Sequence, residues 1–378
     1  MTAAAPVGAN STRLWGLSAE ERLRRIAAAQ KLEVRGDGEL LVNLGFAFDP
    51  SWLKLAAARP GLVVTRGGVP VLANVGREGA DVRRVMERQE TLLPGEGRGP
   101  AARSEGLDPG LRRETLAWEE AHGIGNDELR KKERPFMDRL APDTVRGLER
   151  ASYFGAYKGV TDILTKYLWP EWALVLTRWA ARIGMSPNQV SLIGAALCLL
   201  ATWLFYEGRY WPGLAAGLGF MVLDTVDGKL ARCTITSSKI GEAIDHGIDL
   251  VHPPFWWWAW GVGLYAWGRP LEPEVFWWTL AAIVGGYVVQ RLIEGAFIAR
   301  FRMHIHVWRP FDSRFRLITA RRNPNMVILL ASLVLGRPDL GLVAVAVWTL
   351  LSLVVHMIQL AQALAARAAG RPVVSWLA

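Results

Sequence analysis

The sequence predicts a mainly α-helical protein: a six-transmembrane-helix bundle with a preceding interfacial helix, joined to a small soluble α/β domain. Three observations carry this. Six mostly apolar runs follow residue 160, and basic residues gather between alternate runs. Before residue 155, short β-branched stretches mix with charged segments instead. Composition agrees: 378 residues hold 44 Lys+Arg against 35 Asp+Glu, 18 Trp and 2 Cys, and mean hydropathy is +0.16 with 21% of residues charged. A polar part joined to a strongly apolar part explains that mixture, and disorder, collagen and disulfide scaffolds are excluded.

We divide the chain into a soluble cytoplasmic α/β domain, 1–155, and a membrane domain, 156–378. Residues 1–17 lack an apolar run, so no secretory signal peptide is expected. Ser18-Ala-Glu-Glu21 reads as a capping box that opens a helix through Leu32. Leu40 to Phe48 is a strand candidate, and Asp49-Pro50 starts a short helix from Ser51 to Ala58. Leu62–Thr65 and Val69–Ala73 flank Arg66-Gly67-Gly68 and read as a hairpin. Residues 96–110, rich in Gly, Pro and Arg, read as a linker, and charged helices are expected from Arg112 to Glu149. Cys198 and Cys233 lie too far apart for a zinc-type pair and read as reduced structural thiols.

The membrane domain begins with residues 163–183, where Trp and Leu mix with Lys166, Arg178 and Arg182; this suggests a helix lying on the bilayer surface. A soluble amphipathic helix would read the same way. The apolar runs are Val190–Phe205, Trp211–Leu223, Ile248–Trp267, Val275–Ile298, Met326–Gly336 and Leu340–Ala365. A span needs ~20 residues, so the shorter runs cross only if their polar flanks extend them, and the fifth is weakest. Charge supports six. With the N-terminus in the cytoplasm, the loop 299–324 lies inside and carries Arg300, Arg302, Arg309, Arg314, Arg316, Arg321 and Arg322 against Asp312 alone. The outer loops 207–210, 268–274 and 336–339 each pair one Arg with at least one acid. Trp256, Trp257, Trp258, Trp260, Trp277 and Trp278 read as interfacial anchors or as packing residues. The excess charge is thus a membrane-topology signal and gives little support to nucleic-acid binding.

Between the second and third runs stand Asp224, Asp227, Asp245 and Asp249. Spacings of three and four put each pair on one helix face, and a helix–turn–helix brings both pairs to one membrane boundary. Carboxylates in a membrane segment are costly and mark function. Four converging acids need cations, and oxygen-only ligands favour Mg²⁺, Mn²⁺ or Ca²⁺ over zinc. A two-ion carboxylate site beside a bilayer suggests chemistry on a diphosphate.

The full pattern, D-x2-D-G-x2-A-R-x8-G-x3-D-x3-D, also includes Gly228, Ala231, Arg232 and Gly241. It resembles the signature of the CDP-alcohol phosphatidyltransferase family at every specified position, and the resemblance covers about 160–366. It implies that Asp224, Asp227 and Asp245 hold two ions, Mg²⁺ or Mn²⁺. Asp249 would be the general base and a further ligand. Gly228, Ala231 and Gly241 would admit the cytidine nucleotide, and Arg232 would support the site or the phosphates. The implied partners are a CDP-linked donor, an alcohol or polyol-phosphate acceptor and membrane lipids. An inner or cytoplasmic membrane, with the site on the cytoplasmic side, and a homodimer are expected on the same ground.

Around this core the signals are weaker. Ser186-Pro187 starts the first span as cap and first helical residue, and Asn188 is a nucleotide candidate because the family often has Pro-Asn there. Arg321 and Arg322 suit either an acceptor phosphate or lipid headgroups. Arg291 and Glu294 read as a mutual pair. His246 and His252 read as packed, and His304 and His306 show no ligand partners. The N-terminal domain faintly resembles a nucleotidyltransferase-like module, but the Gly-rich loop followed by Lys is absent, so a degenerate, noncatalytic domain is expected. Three functions remain open: a phosphatidyltransferase using CDP-diacylglycerol, a relative moving a polar CDP-alcohol such as CDP-inositol, and an inactive membrane scaffold.

Overall fold

The computed structural model describes residues 2–75, 79–90, 114–121, 124–126, 131–237 and 239–377, without the side chains of 89–90, 124–126, 131–133, 239–240 and 242–246. The expected linker 96–110 lies outside the described residues.

The N-terminal domain is built on a six-stranded sheet of order β2-β1-β3-β6-β5-β7. Its strands are β1 (Ala3–Val7), β2 (Glu33–Val34), β3 (Leu40–Asn43), β5 (Leu62–Arg66), β6 (Val69–Asn74) and β7 (Glu114–Ala117). β1 runs parallel to β2 and β3; β5 and β6 form the expected antiparallel hairpin. Alternation sorts the side chains. Ala4, Leu40, Val42, Leu62, Val64 and Leu72 join one buried cluster, whereas Ala5, Val7, Leu41, Val63 and Ala73 meet Val82 and Met86 of α3 (Ala80–Glu90) in another.

The first cluster receives α1 (Ala19–Ala29) and α2 (Pro50–Ala57). Ser18 Oγ accepts from Glu21 N at 3.2 Å, so the expected cap is present, although α1 stops at Ala29, short of Leu32. Asp49 Oδ1 accepts from Ser51 N and starts α2. The expected single strand 40–48 is two strands. Asn43 Oδ1 accepts from Gly45 N, turning the chain between β3 and β4 (Phe46–Phe48). The helices expected at 112–149 are corrected: among the described residues β7 is followed by β8 (Ile124–Asn126), β9 (Lys131–Glu133) and β10 (Met137–Arg139), and only α4 (Val145–Gly155) is helical there. β7 is a sheet edge and β8–β10 form two-stranded ribbons, positions where strands tolerate charge that a propensity argument assigns to helices.

A π-helical turn (Leu164–Leu168) and α5 (Pro170–Arg182) follow. α5 leaves Trp172, Val175, Trp179 and the following Ile183 exposed while burying Ala173, Leu174, Thr177 and Ala180. The six apolar runs all become helices: α6 (Pro187–Tyr206), α7 (Tyr210–Cys233), α8 (Lys239–Trp267), α9 (Pro273–Phe301), α11 (Arg322–Val334) and α12 (Pro338–Ala368). The short α10 (Pro310–Phe315) precedes α11. Among the described residues, α6, α9 and α12 are long and apolar enough to cross a membrane. α7 ends in its acidic motif, and the 13 residues of α11 reach only roughly 20 Å at the helical rise.

The tryptophans divide. Trp256, Trp257 and Trp260 are buried in the bundle, where Trp256 Nε1 donates to Cys198 O and Trp260 Nε1 to Pro338 O. They pack rather than anchor; Trp258, Trp277 and Trp278 stay exposed. Gly208, at φ +69°, turns α6 into α7 against α8, where a Cβ on Gly263 would lie 1.9 Å from Phe205 O. Both cysteines are free and buried.

Candidate active site

Asp224 and Asp227 occupy the penultimate turns of α7, three residues apart on one face. Asp227 is buried, and its Oδ2 accepts from Ser191 Oγ of α6 at 2.6 Å. α6 is aimed there by its start: Ser186 and Gln189 form a reciprocal capping box with Pro187 at the first turn. Asn188 and Ser191 then line the same cavity as the acids. Asp249 approaches from α8, with its side chain 45% exposed. Asp245 lies on α8, and its side chain is outside the described residues, as is that of His246.

One arginine joins the two helices. At the start of α11, Arg322 donates from Nη2 to Asp224 Oδ2 (2.8 Å) and from Nη1 to Asp249 Oδ1 (2.7 Å). Its guanidinium lies 4.9 Å from the Phe220 ring centroid. Two acids separated by 25 positions therefore stand within one guanidinium's width. Gly228 leaves room for Arg232, whose Nη2 would lie 3.0 Å from a Cβ at that position. Gly228, Ala231, Arg232 and Gly241 all face the cavity.

That cavity, about 860 Å³, has a basic side built from α9 and the segment 304–322. Arg321 does not join the acids. It donates to Glu294 and, at 3.2 Å, to His306 Nε2. Arg291 Nη1 lies 3.3 Å from Glu294 Oε2, so the expected pair exists but shares its acid. The expectation that His306 has no ligand-type partner is overturned. Its Nε2 is 3.4 Å from Glu294 Oε1, and Glu294, His306 and His356 present ligating atoms all within 4.8 Å of one another. The triad has a donor set that could hold a cation. Arg291 and Arg321 already neutralise its one acid, however, and a further cation there would meet two guanidiniums. His306 Nε2 thus stands between Arg321 Nη2 at 3.2 Å and Glu294 Oε1 at 3.4 Å. Burial holds the His306 pKa well below its usual 6.5 and keeps the ring neutral.

Asp162 is a member that the sequence did not reveal. It is buried beside Arg316, and its carboxylate accepts from Leu164 N, Thr165 N and, at 3.0 Å, Asn323 Nδ2. Burial alone would raise its pKa; Arg316 and these hydrogen bonds hold it below the usual carboxylate value instead. Asp162 so ties the entrance of α5 to the start of α11, next to Arg322. Lys229, inside the motif, is also buried; its Nζ donates to Ala156 O (2.7 Å) and lies 3.4 Å from the Tyr157 ring centroid. A Thr-Asp-x-x-Thr helix start marks Asp162 as a cap, but nothing local marks its partner. His252 packs as expected, with Nδ1 2.6 Å from Ile248 O and its ring against Phe220 and Trp256.

Residues 184–319 match the sequence profile of the CDP-alcohol phosphatidyltransferase family. This segment is similar to a CDP-alcohol phosphatidyltransferase domain. Its matched range contains the whole acid motif, while Arg321, Arg322 and the N-terminal sheet lie beyond it. Cholinephosphotransferase 1 of Mus musculus is 33% identical over 146 residues, 36% of this chain and 35% of that protein. Archaetidylinositol phosphate synthase of Pyrococcus horikoshii is 40% identical over 70 residues, 18% of this chain and 37% of that protein. The chain thus spans about a third of the length of the curated relatives it matches.

Proposed function

We propose that the protein transfers a phosphoalcohol group from a CDP-linked donor, CDP-diacylglycerol in the favoured reading, to an alcohol acceptor and releases CMP. The observation that carries this is the convergence of Asp224 and Asp249 on Arg322 at one cavity. It lies in a domain whose family and relatives are named for such transfers. Asp224, Asp227 and Asp245, with Asp249, would hold two Mg²⁺ or Mn²⁺ ions; an all-carboxylate donor set fits hard cations, and Arg322 already shows that this cluster draws positive charge. When bound, such ions neutralise the diphosphate and make CMP a better leaving group.

The chain's own residues do the rest. Asp249, the more exposed acid, takes the proton of the acceptor hydroxyl. The acceptor oxygen forms its bond to phosphorus as the bond from that phosphorus to the CMP oxygen breaks. Gly228 and Gly241 let the backbone approach the nucleotide. Leu250, exposed and lining the cavity beside Asp249, gives it an apolar wall suited to an acyl chain, which favours a lipid donor.

The basic side favours an acceptor with its own phosphate. Arg291, Arg316 and Arg321 line the cavity opposite one acid, Glu294, and arginine forks suit phosphate oxygens. A polar donor such as CDP-inositol is the alternative, favoured if the basic side takes the donor's headgroup. Six spans, a cytoplasmic N-terminus and an interfacial α5 with Trp172, Val175 and Trp179 outward complete the proposal. So do a boundary near 155 and a homodimer.

Purified protein with Mn²⁺ or Mg²⁺, offered CDP-diacylglycerol and then CDP-polyols with polyol or polyol-phosphate acceptors, tests this by CMP release. Release from CDP-diacylglycerol supports the favoured donor, and release only from CDP-polyols selects the alternative. Equal absence of CMP in wild type and Asp249→Asn overturns the enzyme reading in favour of a scaffold.

A further inference from the structure

α1 belongs to the sheet domain by sequence, yet two of its arginines end on α7. The last turn of a helix leaves carbonyls without helical partners. In α7 most of these are answered locally: Leu230 O accepts from Thr234 N, Ala231 O from Thr236 N and Arg232 O from Ile235 N. The next two are answered from α1. Arg22 Nη1 donates to Cys233 O at 3.4 Å, and Arg25 Nη1 to Thr234 O at 2.9 Å. Arg22 is buried and its Nη2 is fixed on Phe48 O; the Nη2 of Arg25 is fixed on Glu21 Oε1 at 2.6 Å. Both guanidiniums are thus held from behind. Cations at a helix C-terminus also complement its dipole.

The turn they hold is unusual. Ile235 has φ +56°, the left-handed region that a β-branched residue seldom enters. Such a conformation persists only where its surroundings impose it. This turn links α7, with Asp224 and Asp227, to α8, with Asp245 and Asp249. Its shape sets the distance between the two acid pairs. Neither arginine lines the cavity, whereas Thr236 and Ser237 of the turn do.

We propose that Arg22 and Arg25 are positioning residues: by holding the carbonyls of Cys233 and Thr234, α1 fixes the left-handed turn that sets the α7 acids against the α8 acids. The N-terminal domain is then a working part of the ion site. This rests on the ion-binding reading above, and the experiment separates the two.

Full-length wild type, Arg25→Ala, Arg25→Lys and the control Arg24→Ala are compared; among the described residues Arg24 pairs with Glu20 at the surface. Three quantities are read: Mn²⁺ binding without substrate by electron paramagnetic resonance, amide exchange in 233–237, and CMP release. Arg25→Ala raises the Mn²⁺ midpoint ~10-fold, as loss of an outer-shell support does. It lowers kcat with little change in the donor KM, and exchange in 233–237 quickens. Arg25→Lys recovers most of the loss, Arg24→Ala matches wild type, and Tm is unchanged throughout. An unchanged Mn²⁺ midpoint together with unchanged exchange in Arg25→Ala overturns the proposal, as does a fall in Tm alone. If wild type releases no CMP, the transferase reading fails while binding and exchange still decide this one. If wild type also binds no Mn²⁺, the exchange comparison decides it.

Discussion

The two sides of the cavity are made differently. The acidic side comes from one stretch, 224–249, folded back on itself through a single turn. The basic side is gathered from α9 and the segment 304–322, with Glu294 shared among Arg291, Arg321 and His306. A contiguous stretch can carry a fixed chemistry, because local spacing sets its geometry. A gathered wall depends on how several elements pack, and it can change with the substrate while the acids stay put.

Breaking the acidic side should cost reaction and leave the fold. Asp249→Asn is expected to lower CMP release ~10³-fold, the order of a lost general base, with Tm unchanged; near-wild-type turnover would assign the proton elsewhere. Breaking the basic side should cost stability. Glu294→Gln leaves Arg291 and Arg321 without their shared acid, and a loss of roughly 3 kcal/mol is expected in chemical denaturation, typical of a broken buried pair. If that variant keeps its stability, the wall is not held by Glu294.

Acid titration sharpens the contrast. His306 is neutral when folded, with its pKa held well below 6.5 by burial. The unfolded chain therefore binds a proton that the folded chain does not, and stability is lost as pH falls below 6.5, by about 1.4 kcal/mol per pH unit for this one group. Denaturation curves between pH 7 and 5 should flatten in His306→Gln; an identical slope would remove His306 as a contributor. The smallest effect belongs to Ser191→Ala. Losing one hydrogen bond to Asp227 should cost about 1 kcal/mol, seen as a several-fold rise in the Mn²⁺ midpoint with the basic side untouched.

These differences explain what was legible in the sequence. The acid pattern, the Ser18 and Ser186 caps, the 62–73 hairpin and all six apolar helices could be read directly, since each depends on neighbours in the chain. β1 escaped notice because Ala3-Ala-Ala-Pro-Val7 has low strand propensity and is a strand only between β2 and β3. The links of His306 and His356 to Glu294 and of Asp162 to Asn323 escaped because those partners lie 12 to 161 positions apart. Of the two adjacent arginines named as acceptor candidates, packing sent Arg322 to the acids and Arg321 to Glu294, a distinction no local pattern contains.

One buried cluster runs from Leu14, Trp15, Leu23 and Ile26 through the sheet to Ala173, Leu174, Val190, Val226 and Leu230. Order of synthesis gives this a consequence. The sheet domain leaves the ribosome first, lacking the apolar surface that Ala173, Leu174, Val190, Val226 and Leu230 later add to this cluster. That surface exists only after α5, α6 and α7 have been made. The early domain must therefore wait, partly open, for the middle of its own chain, and a fragment ending near residue 155 would carry an uncovered apolar face into solution.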